Sequence, residues 1–203
     1  MFADTIDIVG ANGYVGSGLC EFFNSKNVKF RKITKLPNED SCISFENWSN
    51  TLSSNICLYL ADPSHIDEND YLKYRLATER FDKTLKCTNK LFIYISSSKI
   101  YLEQFKGKFS QNDKKSNFSY YQKLKNRNEK RLVEQSNKNY LILRIPSFVD
   151  EIPKPYSLFN KIKISNESGR ILLSKDYSFN QEFLFGQDFY NVLLKILLNP
   201  KIK

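Results

Sequence analysis

The stretch Ile6-Asp7-Ile8-Val9-Gly10-Ala11-Asn12-Gly13-Tyr14-Val15-Gly16 runs from an apolar strand into three glycines spaced three residues apart. Gly10 allows a tight turn out of the strand, Gly13 lets backbone N–H groups approach a pyrophosphate, and Gly16 lets the next helix pack closely against the sheet. A helix that begins near Tyr14 would point its positive end at the phosphates. The stretch therefore predicts a dinucleotide site, with a purely structural strand-to-helix turn as the alternative.

Strand-like apolar runs alternate with helical stretches along most of the chain. This alternation predicts an α/β fold, a Rossmann-type doubly wound parallel sheet that binds ligands outside the carboxyl ends of its strands. The predicted strands cover residues 6–9, 28–33, 42–45, 56–60, 91–96 and 140–144, and the predicted helices cover 14–24, 70–86 and 119–134.

The pattern loosens after Pro146. Short strands are predicted at 170–173 and 183–185, followed by a helix at 188–198. Asp188 would cap this helix or complement its dipole. The apolar stripe of the helix is predicted to consist of Val192, Leu193, Ile196 and Leu197.

Length and composition bound the class of protein. A chain of 203 residues, 41% of them hydrophobic, can bury one full core, so a single domain over residues 1–203 is expected. Neither a signal peptide nor an apolar run of membrane-spanning length is visible, which predicts a cytoplasmic protein. The cysteines lack the short paired spacings of metal or redox sites, so reduced thiols and no metal site are expected. They are Cys20, Cys42, Cys57 and Cys87, and the only histidine, His65, is predicted to be an exposed loop residue.

A second group of polar residues follows the predicted strand at 91–96. Ser96, Ser97 and Ser98 stand at its carboxyl end. Tyr121 and Lys125 lie four residues apart on a later predicted helix, which places the phenol and the ammonium on one face. By itself this spacing is a weak indication of function in a chain so rich in lysine and tyrosine, but the order of the motifs adds to it.

That order resembles the short-chain dehydrogenase/reductase superfamily, and more closely its extended branch, the NAD-dependent epimerase/dehydratase family that acts on nucleotide sugars. The motifs that carry the likeness are Gly-Ala-Asn-Gly-Tyr-Val-Gly at 10–16, Tyr-Ile-Ser-Ser-Ser-Lys-Ile-Tyr at 94–101, Glu129, Leu-Arg-Ile-Pro-Ser at 143–147 and Gln-Glu-Phe-Leu-Phe at 181–185. The family usually has a longer carboxyl-terminal part, so the resemblance implies a reduced substrate-binding portion at 147–203. The block after Ser98 lacks the Asp-Glu pair of the family's 4,6-dehydratases, which argues against dehydration.

The resemblance also implies roles for individual side chains. Tyr121 would be the acid/base for a substrate oxygen, although a free phenol with a pKa near 10 is poorly matched to neutral pH. Lys125 would favour the phenolate and hold the nicotinamide ribose. Ser97 would donate a hydrogen bond to the reacting oxygen, with Ser96 and Ser98 as alternatives. The residues predicted to contact the coenzyme are Gly10, Asn12, Gly13, Tyr14, Val15, Gly16, Thr34, Lys35, Leu60, Ala61, Tyr121, Lys125, Pro146 and Ser147.

The end of the second predicted strand bears on the choice of coenzyme. An NAD enzyme normally offers an acidic side chain there to the ribose 2′-hydroxyl, and this chain has none. Thr34 and Lys35, together with Arg31, would instead receive a 2′-phosphate. This favours NADP, with NAD as the alternative if these residues are ordinary surface cations.

The sequence therefore predicts an NAD(P)-dependent oxidoreductase, a nucleotide-sugar 4-keto reductase or epimerase. The alternative is a non-catalytic dinucleotide-binding sensor or scaffold protein. In the resembled family, the helices that carry Lys86 and Tyr121 would pair across a homodimer. The net charge of +9 and the basic stretch at 114–131 raise nucleic-acid binding as a weaker interpretation. Lysine and asparagine are abundant along the whole chain, however, which indicates compositional bias and argues against it.

Overall fold

A computed structural model describes residues 5–35, 42–49, 55–63, 66, 70–88, 91–100, 119–135, 139–150 and 183–199. Its strands are β1 (Ile6–Val9), β2 (Phe30–Thr34), β3 (Cys42–Ser44), β4 (Ile56–Tyr59), β5 (Leu91–Ser97), β6 (Asn139–Ile145), β7 (Ser147–Val149) and β8 (Phe183–Phe185). Its helices are α1 (Tyr14–Ser25), α2 (Phe45–Ser49), α3 (Tyr71–Cys87), α4 (Tyr120–Val133) and α5 (Gly186–Leu198), with a 3₁₀ turn at Ser98–Ile100.

Six of the strands form one parallel sheet in the order β3-β2-β1-β4-β5-β6. Strand order therefore reverses between β1 and β4, which pair in register from Ile6 opposite Ile56 to Val9 opposite Tyr59. β7 and β8 form a separate parallel pair. In open sheets of this kind the crevice for a ligand opens at the carboxyl ends of the strands on either side of the reversal.

Helices cover both faces of the sheet, so the alternating side chains of each strand are buried in two different cores. On one face, isoleucines and leucines of β1, β4 and β5 pack against α1 and α5. On the other face, Val9, Tyr59 and Tyr94 pack with Trp48 of α2 and Phe81 of α3. The predicted doubly wound parallel sheet is confirmed.

Most of the predicted elements are confirmed to within two residues. α5 begins at Gly186, with Phe185 as its N-cap, so Asp188 lies in the first turn. Of the two roles predicted for Asp188, complementing the helix dipole is confirmed and capping is not. The predicted apolar stripe needs correction at one residue. Val192 is 54% exposed, because the buried face of α5 consists of Phe189, Tyr190, Leu193 and Leu197. The strand predicted at 170–173 and His65 lie outside the described residues.

A buried carboxylate fastens the first two strands to α2. Asp7 is fully buried and accepts hydrogen bonds from Arg31 Nε at 2.6 Å, Arg31 Nη2 at 2.8 Å and Trp48 Nε1 at 2.8 Å. These contacts satisfy the charge that burial would otherwise penalise. The hydrogen bond to Asp7 raises the pKa of the Arg31 guanidinium. The prediction that Arg31 helps to receive a 2′-phosphate is therefore wrong, because Arg31 is held by Asp7.

A second ion pair joins α4 to β6. Glu129 is 5% exposed, and its carboxylate accepts from Arg144 Nη2 at 2.7 Å and Nε at 3.0 Å. Both residues belong to motifs on which the family resemblance is based, and in the structure they form an ion pair that joins two elements of the fold. Together they hold the helix that bears Tyr121 against the edge of the sheet.

Replacing Glu129 with glutamine is expected to lower the free energy of unfolding by about 2–4 kcal/mol, because a largely buried guanidinium would lose its counter-charge. Urea unfolding followed by circular dichroism would measure the change. Glu79→Gln is the matched control, since the Glu79–Arg75 pair on α3 is exposed and should contribute little. Equal effects of the two substitutions would contradict the structural task given to Glu129.

The first turn of α1 is tied to the last helix through Asp150, directly after β7. The Tyr14 hydroxyl accepts a hydrogen bond from the Asp150 backbone N–H at 2.9 Å, and the Tyr190 hydroxyl donates to the Asp150 carboxylate. Burial and the hydrogen bond to Asp150 raise the pKa of Tyr190, so this phenol remains a donor. The Tyr14 ring also packs edge-on against Phe148 of β7, with 5.6 Å between ring centroids.

Candidate functional site

A cleft opens at the reversal of strand order, over the carboxyl ends of β1, β2 and β4. Its volume is about 230 Å³. Seven of the residues predicted to contact the coenzyme line it, namely Gly10, Asn12, Gly13, Thr34, Lys35, Leu60 and Ala61. The structure therefore brings together residues from three separate strand ends, as expected for ligand binding at a switch point.

Two glycines shape the floor of this cleft. Gly10 has φ = +95°, a conformation that side chains disfavour, and an added Cβ would lie 2.8 Å from the backbone of Leu60 and Ala61. At Gly16 an added Cβ would overlap the carbonyl oxygen of Gly10 and lie 2.9 Å from Ala11 Cα. The conformational roles predicted for these glycines are confirmed: one makes the turn and the other lets α1 approach it.

The cleft is suited to an anionic dinucleotide in two respects. α1 begins at Tyr14 with Gly13 as its N-cap, and its first turn has neither a side-chain cap nor an acidic residue. The first backbone N–H groups of a helix lack intrahelical partners and favour negative charge. In addition, Thr34 is 4% exposed, and its Oγ1 has no hydrogen-bond partner among the described residues. Buried hydroxyls are normally satisfied, so this atom fits a bound polar group.

Sequence reasoning missed two residues of the cleft that come from helices. Phe45, at the start of α2, supplies an apolar wall, and Arg80, on α3, also lines the cleft. The Arg80 Nη1 donates to the carbonyl oxygen of Ala61 at 3.3 Å. Arg80 could not be found from its spacing, because it lies 19 residues beyond Ala61 and is oriented by the packing of α3.

Tyr121 and Lys125 occupy one face of α4, as their spacing predicts. Lys125 Nζ lies 5.7 Å from the centroid of the Tyr121 ring. α4 begins with a capping box, in which the Ser119 hydroxyl accepts from the Gln122 backbone N–H and the Gln122 side chain accepts from the Ser119 backbone N–H. This cap fixes the first turn, on which Tyr121 stands.

The surroundings of Lys125 differ from the expectation that its ammonium is available to the ribose. Lys125 is 6% exposed; its Nζ donates to the carbonyl oxygen of Ile95 at 2.8 Å and forms an ion pair with Asp62 Oδ2 at 3.0 Å. Two of its three donors are therefore engaged inside the protein. Asp62 follows Ala61 directly and also lines the cleft, so it connects the cleft to the Tyr121–Lys125 face.

Asp62 is held in turn by a buried phenol. The Tyr94 hydroxyl donates to Asp62 Oδ2 at 2.6 Å, and Asn128 Nδ2 approaches Oδ1 at 3.4 Å. Burial, followed by the charge of Asp62, raises the pKa of Tyr94 well above its ordinary value, so Tyr94 stays protonated and acts as a donor. Asp62 could have been found from sequence by the rule that singled out Ser97, because both stand at the carboxyl end of a strand.

The remaining predicted residues lie around these two centres. Ser97 is buried at the end of β5, opposite Ile145 of β6. Pro146 and Ser147 follow Ile145 directly, so they lie near the same end of the sheet. Ser96 is also buried, and its Oγ has no hydrogen-bond partner among the described residues. Val15 is half-buried in the first turn of α1, beside Tyr14. Whether these residues contact a coenzyme or a substrate stays a prediction.

The basic stretch at 114–131 is described only from residue 119 onward. Within that part, Arg127 and Arg131 both form ion pairs with Asp82 of α3. Shared neutralisation by one carboxylate reduces the positive potential of this face, which weakens the nucleic-acid interpretation.

All four cysteines are free thiols; Cys20 and Cys57 are buried, whereas Cys42 and Cys87 are only partly buried. Among the helices of the described ranges, none has both the length and the apolar character that a membrane crossing requires.

No family model and no curated protein matches this chain by sequence. Solved structures do match it. UDP-N-acetylglucosamine 4-epimerase from Bacillus cereus aligns with a TM-score of 0.80 and 15% identity, over 97% of this chain and 72% of that chain. UDP-glucose 4-epimerase from Thermus thermophilus, solved with NAD, aligns with a TM-score of 0.76 and 12% identity, over 96% of this chain and 75% of that chain. A human epimerase family protein, solved with NADPH, aligns with a TM-score of 0.78 and 10% identity, over 96% of this chain and 70% of that chain.

At these identities the similarity establishes a shared fold. The resemblance to the extended short-chain dehydrogenase/reductase branch is thus confirmed for the fold, by proteins with which this chain shares few residues. A function for this chain has to be argued from its own side chains.

Proposed function

We propose that this protein is an NAD(P)-dependent oxidoreductase that acts on a nucleotide-linked sugar, as a 4-keto reductase or an epimerase. The observation that carries the proposal is the cleft at the switch point, where seven predicted residues from three strand ends meet beside the Tyr121–Lys125 face. The epimerases that share the fold act on UDP-sugars, which supports the same class of substrate here.

The proposed chemistry assigns one task to each of three side chains. The nicotinamide supplies hydride transfer when it is bound. The phenol oxygen of Tyr121 carries the proton that is transferred to or from the substrate oxygen. Lys125 places a positive charge 5.7 Å from that ring, and Asp62 and Ile95 fix its position. Ser97 donates a hydrogen bond to the oxygen on which charge develops.

Substrate binding is assigned to residues 147–203, of which β7, β8 and α5 are described. A single domain over residues 1–203 and a homodimer that pairs α3 and α4 belong to the same proposal. The exposed side chains of Tyr71, Leu72 and Leu76 on α3 support such pairing. A cytoplasmic location is proposed with it.

NADP is the proposed coenzyme, with NAD as the alternative. Lys35 is exposed at the rim of the cleft next to the unpartnered Thr34 hydroxyl, and no acidic side chain follows β2 within the described residues. A 2′-phosphate would satisfy both groups, whereas a 2′-hydroxyl would leave the charge of Lys35 unused.

Thermal unfolding with NADPH and with NADH tests this proposal, because a ligand that binds only the native state raises the unfolding temperature. NADPH is expected to produce the larger rise. Lys35→Ala should weaken NADPH binding about tenfold, as expected for one lost charge-assisted contact, and leave NADH binding unchanged. Lys195→Ala, an exposed lysine on α5, is the matched control. Equal rises with the two coenzymes would remove the NADP assignment, and no rise with either would remove the proposed function.

A further inference from the structure

We propose that α3 contributes to a phosphate subsite at the rim of the coenzyme cleft, formed by Arg80 together with Lys35 and Thr34, which binds the 2′-phosphate of an adenosine 2′-phosphate group. This inference rests on the proposed function, since it assigns a specific contact of the coenzyme. It adds a residue from a different element to those at the end of β2.

Arg80 stands where two clefts meet. The first is the coenzyme cleft, and the second lies between the end of β4 and the start of α3; Lys35, Ala61 and Arg80 line both. The two clefts therefore adjoin each other at Lys35, Ala61 and Arg80. A group attached to the ribose of a bound adenosine could extend across this junction.

The cations at this junction lack acidic partners within the described part of the chain. Lys35, Lys73 and Arg80 all line the second cleft, and none of them forms an ion pair with a described carboxylate. Arg80 is only partly exposed, and its single side-chain hydrogen bond to a described residue goes to the neutral carbonyl oxygen of Ala61. A guanidinium has five N–H donors, so most of them remain available.

The carboxylates that line the same clefts are already engaged. Asp62 pairs with Lys125 and accepts from Tyr94. Asp70 caps α3 by accepting from the Lys73 backbone N–H at 2.9 Å. The junction therefore has an excess of positive charge, which favours the binding of an anionic group.

An independent observation points to the same ligand. Thr34 lines the coenzyme cleft and is almost completely buried, and its Oγ1 has no hydrogen-bond partner among the described residues. A phosphate oxygen accepts from hydroxyl, ammonium and guanidinium donors alike, and arginine binds it in a bidentate manner. One phosphate would thus satisfy Thr34, Lys35 and Arg80 together.

The test compares two probes that differ only in the phosphate in question, adenosine 2′,5′-bisphosphate and adenosine 5′-monophosphate. Binding can be followed by titration calorimetry or by the fluorescence of Trp48, the only tryptophan, whose ring lies 5.8 Å from that of Phe45 in the cleft. Arg80→Met should weaken the bisphosphate about tenfold or more and leave the monophosphate within about twofold. In the parent protein, the difference in affinity between the two probes should also decrease as the salt concentration rises.

Two further variants keep the result interpretable. Arg75→Met, on the same helix and exposed beside Glu79, should leave both affinities unchanged. Arg80→Lys keeps the charge and most of the aliphatic stem, so it should retain part of the preference for the bisphosphate even if Arg80→Met does not fold.

Equal weakening of both probes by Arg80→Met would overturn the inference, because Arg80 would then contact the adenosine or support the fold. The inference would also fail if Arg80→Lys bound both probes as the parent does, or if the parent bound both equally. Failure of the proposed function has a different signature, namely no binding of either probe to the parent protein.

Discussion

Replacing Tyr121 with phenylalanine is expected to reduce turnover about 10²–10⁴-fold and to leave coenzyme affinity within about twofold. The substitution removes only the phenol oxygen, which is the proposed site of proton transfer, and general acid–base catalysis contributes rate factors of this size. Loss of absorbance of the reduced nicotinamide with UDP-, GDP- and dTDP-linked keto sugars measures turnover, and thermal stabilisation measures coenzyme binding.

Tyr120→Phe is the matched control for this experiment. Tyr120 is the preceding residue on α4, but its ring packs against Tyr74 of α3, with 5.4 Å between ring centroids. Its hydroxyl has no part in the proposed chemistry, so turnover should change little. If Tyr121→Phe kept the turnover of the parent, Tyr121 would have no catalytic role. A parent that binds the coenzyme but turns over none of these sugars would favour the non-catalytic dinucleotide-binding alternative.

Gly16→Ala is expected to lower the free energy of unfolding by about 3 kcal/mol or more and to abolish coenzyme binding. The new Cβ would overlap the carbonyl oxygen of Gly10 and press on the backbone of Ala11, and backbone cannot move aside as a flexible side chain can. Urea unfolding gives the loss of stability, and titration with NADPH gives the loss of affinity.

Gly13→Ala provides the contrast. An added Cβ there would lie 3.1 Å from Gly10 O, and Gly13 is exposed at the mouth of the cleft. We expect a smaller loss of stability but weaker coenzyme binding, since Gly13 is assigned to the approach of the pyrophosphate. If Gly16→Ala were as stable as the parent, the close approach of α1 to the turn would be contradicted.

The strand ends and the glycine turn could be predicted because they depend on local sequence. An apolar strand, a glycine with positive φ and a helix start follow one another within residues 6–16, so neighbouring residues decide the structure. The same holds for Ser119 and Gln122, which cap α4 from within a single turn. Tyr121 and Lys125 share a face for the equally local reason of helical spacing.

The contacts that decide the chemistry depend on distant residues. Asp62, which follows β4, and Lys125 of α4 are brought together only when α4 packs against the sheet. Arg31 is held by Asp7 because β1 and β2 pair in a register that places these residues side by side. Val192 is exposed because the orientation of α5 is set by its contact with α1. A residue type and a spacing cannot specify such partners.

The packing of α5 on α1 has a consequence for synthesis of the protein. The apolar side chains of Leu19, Phe22 and Phe23 on α1 are covered in part by Phe189, Leu193 and Leu197 of α5. Translation produces these two groups more than 160 residues apart, so the ribosome releases α1 long before its cover exists. During that interval the apolar face of α1 is exposed on the nascent chain, and we expect molecular chaperones to bind the chain there.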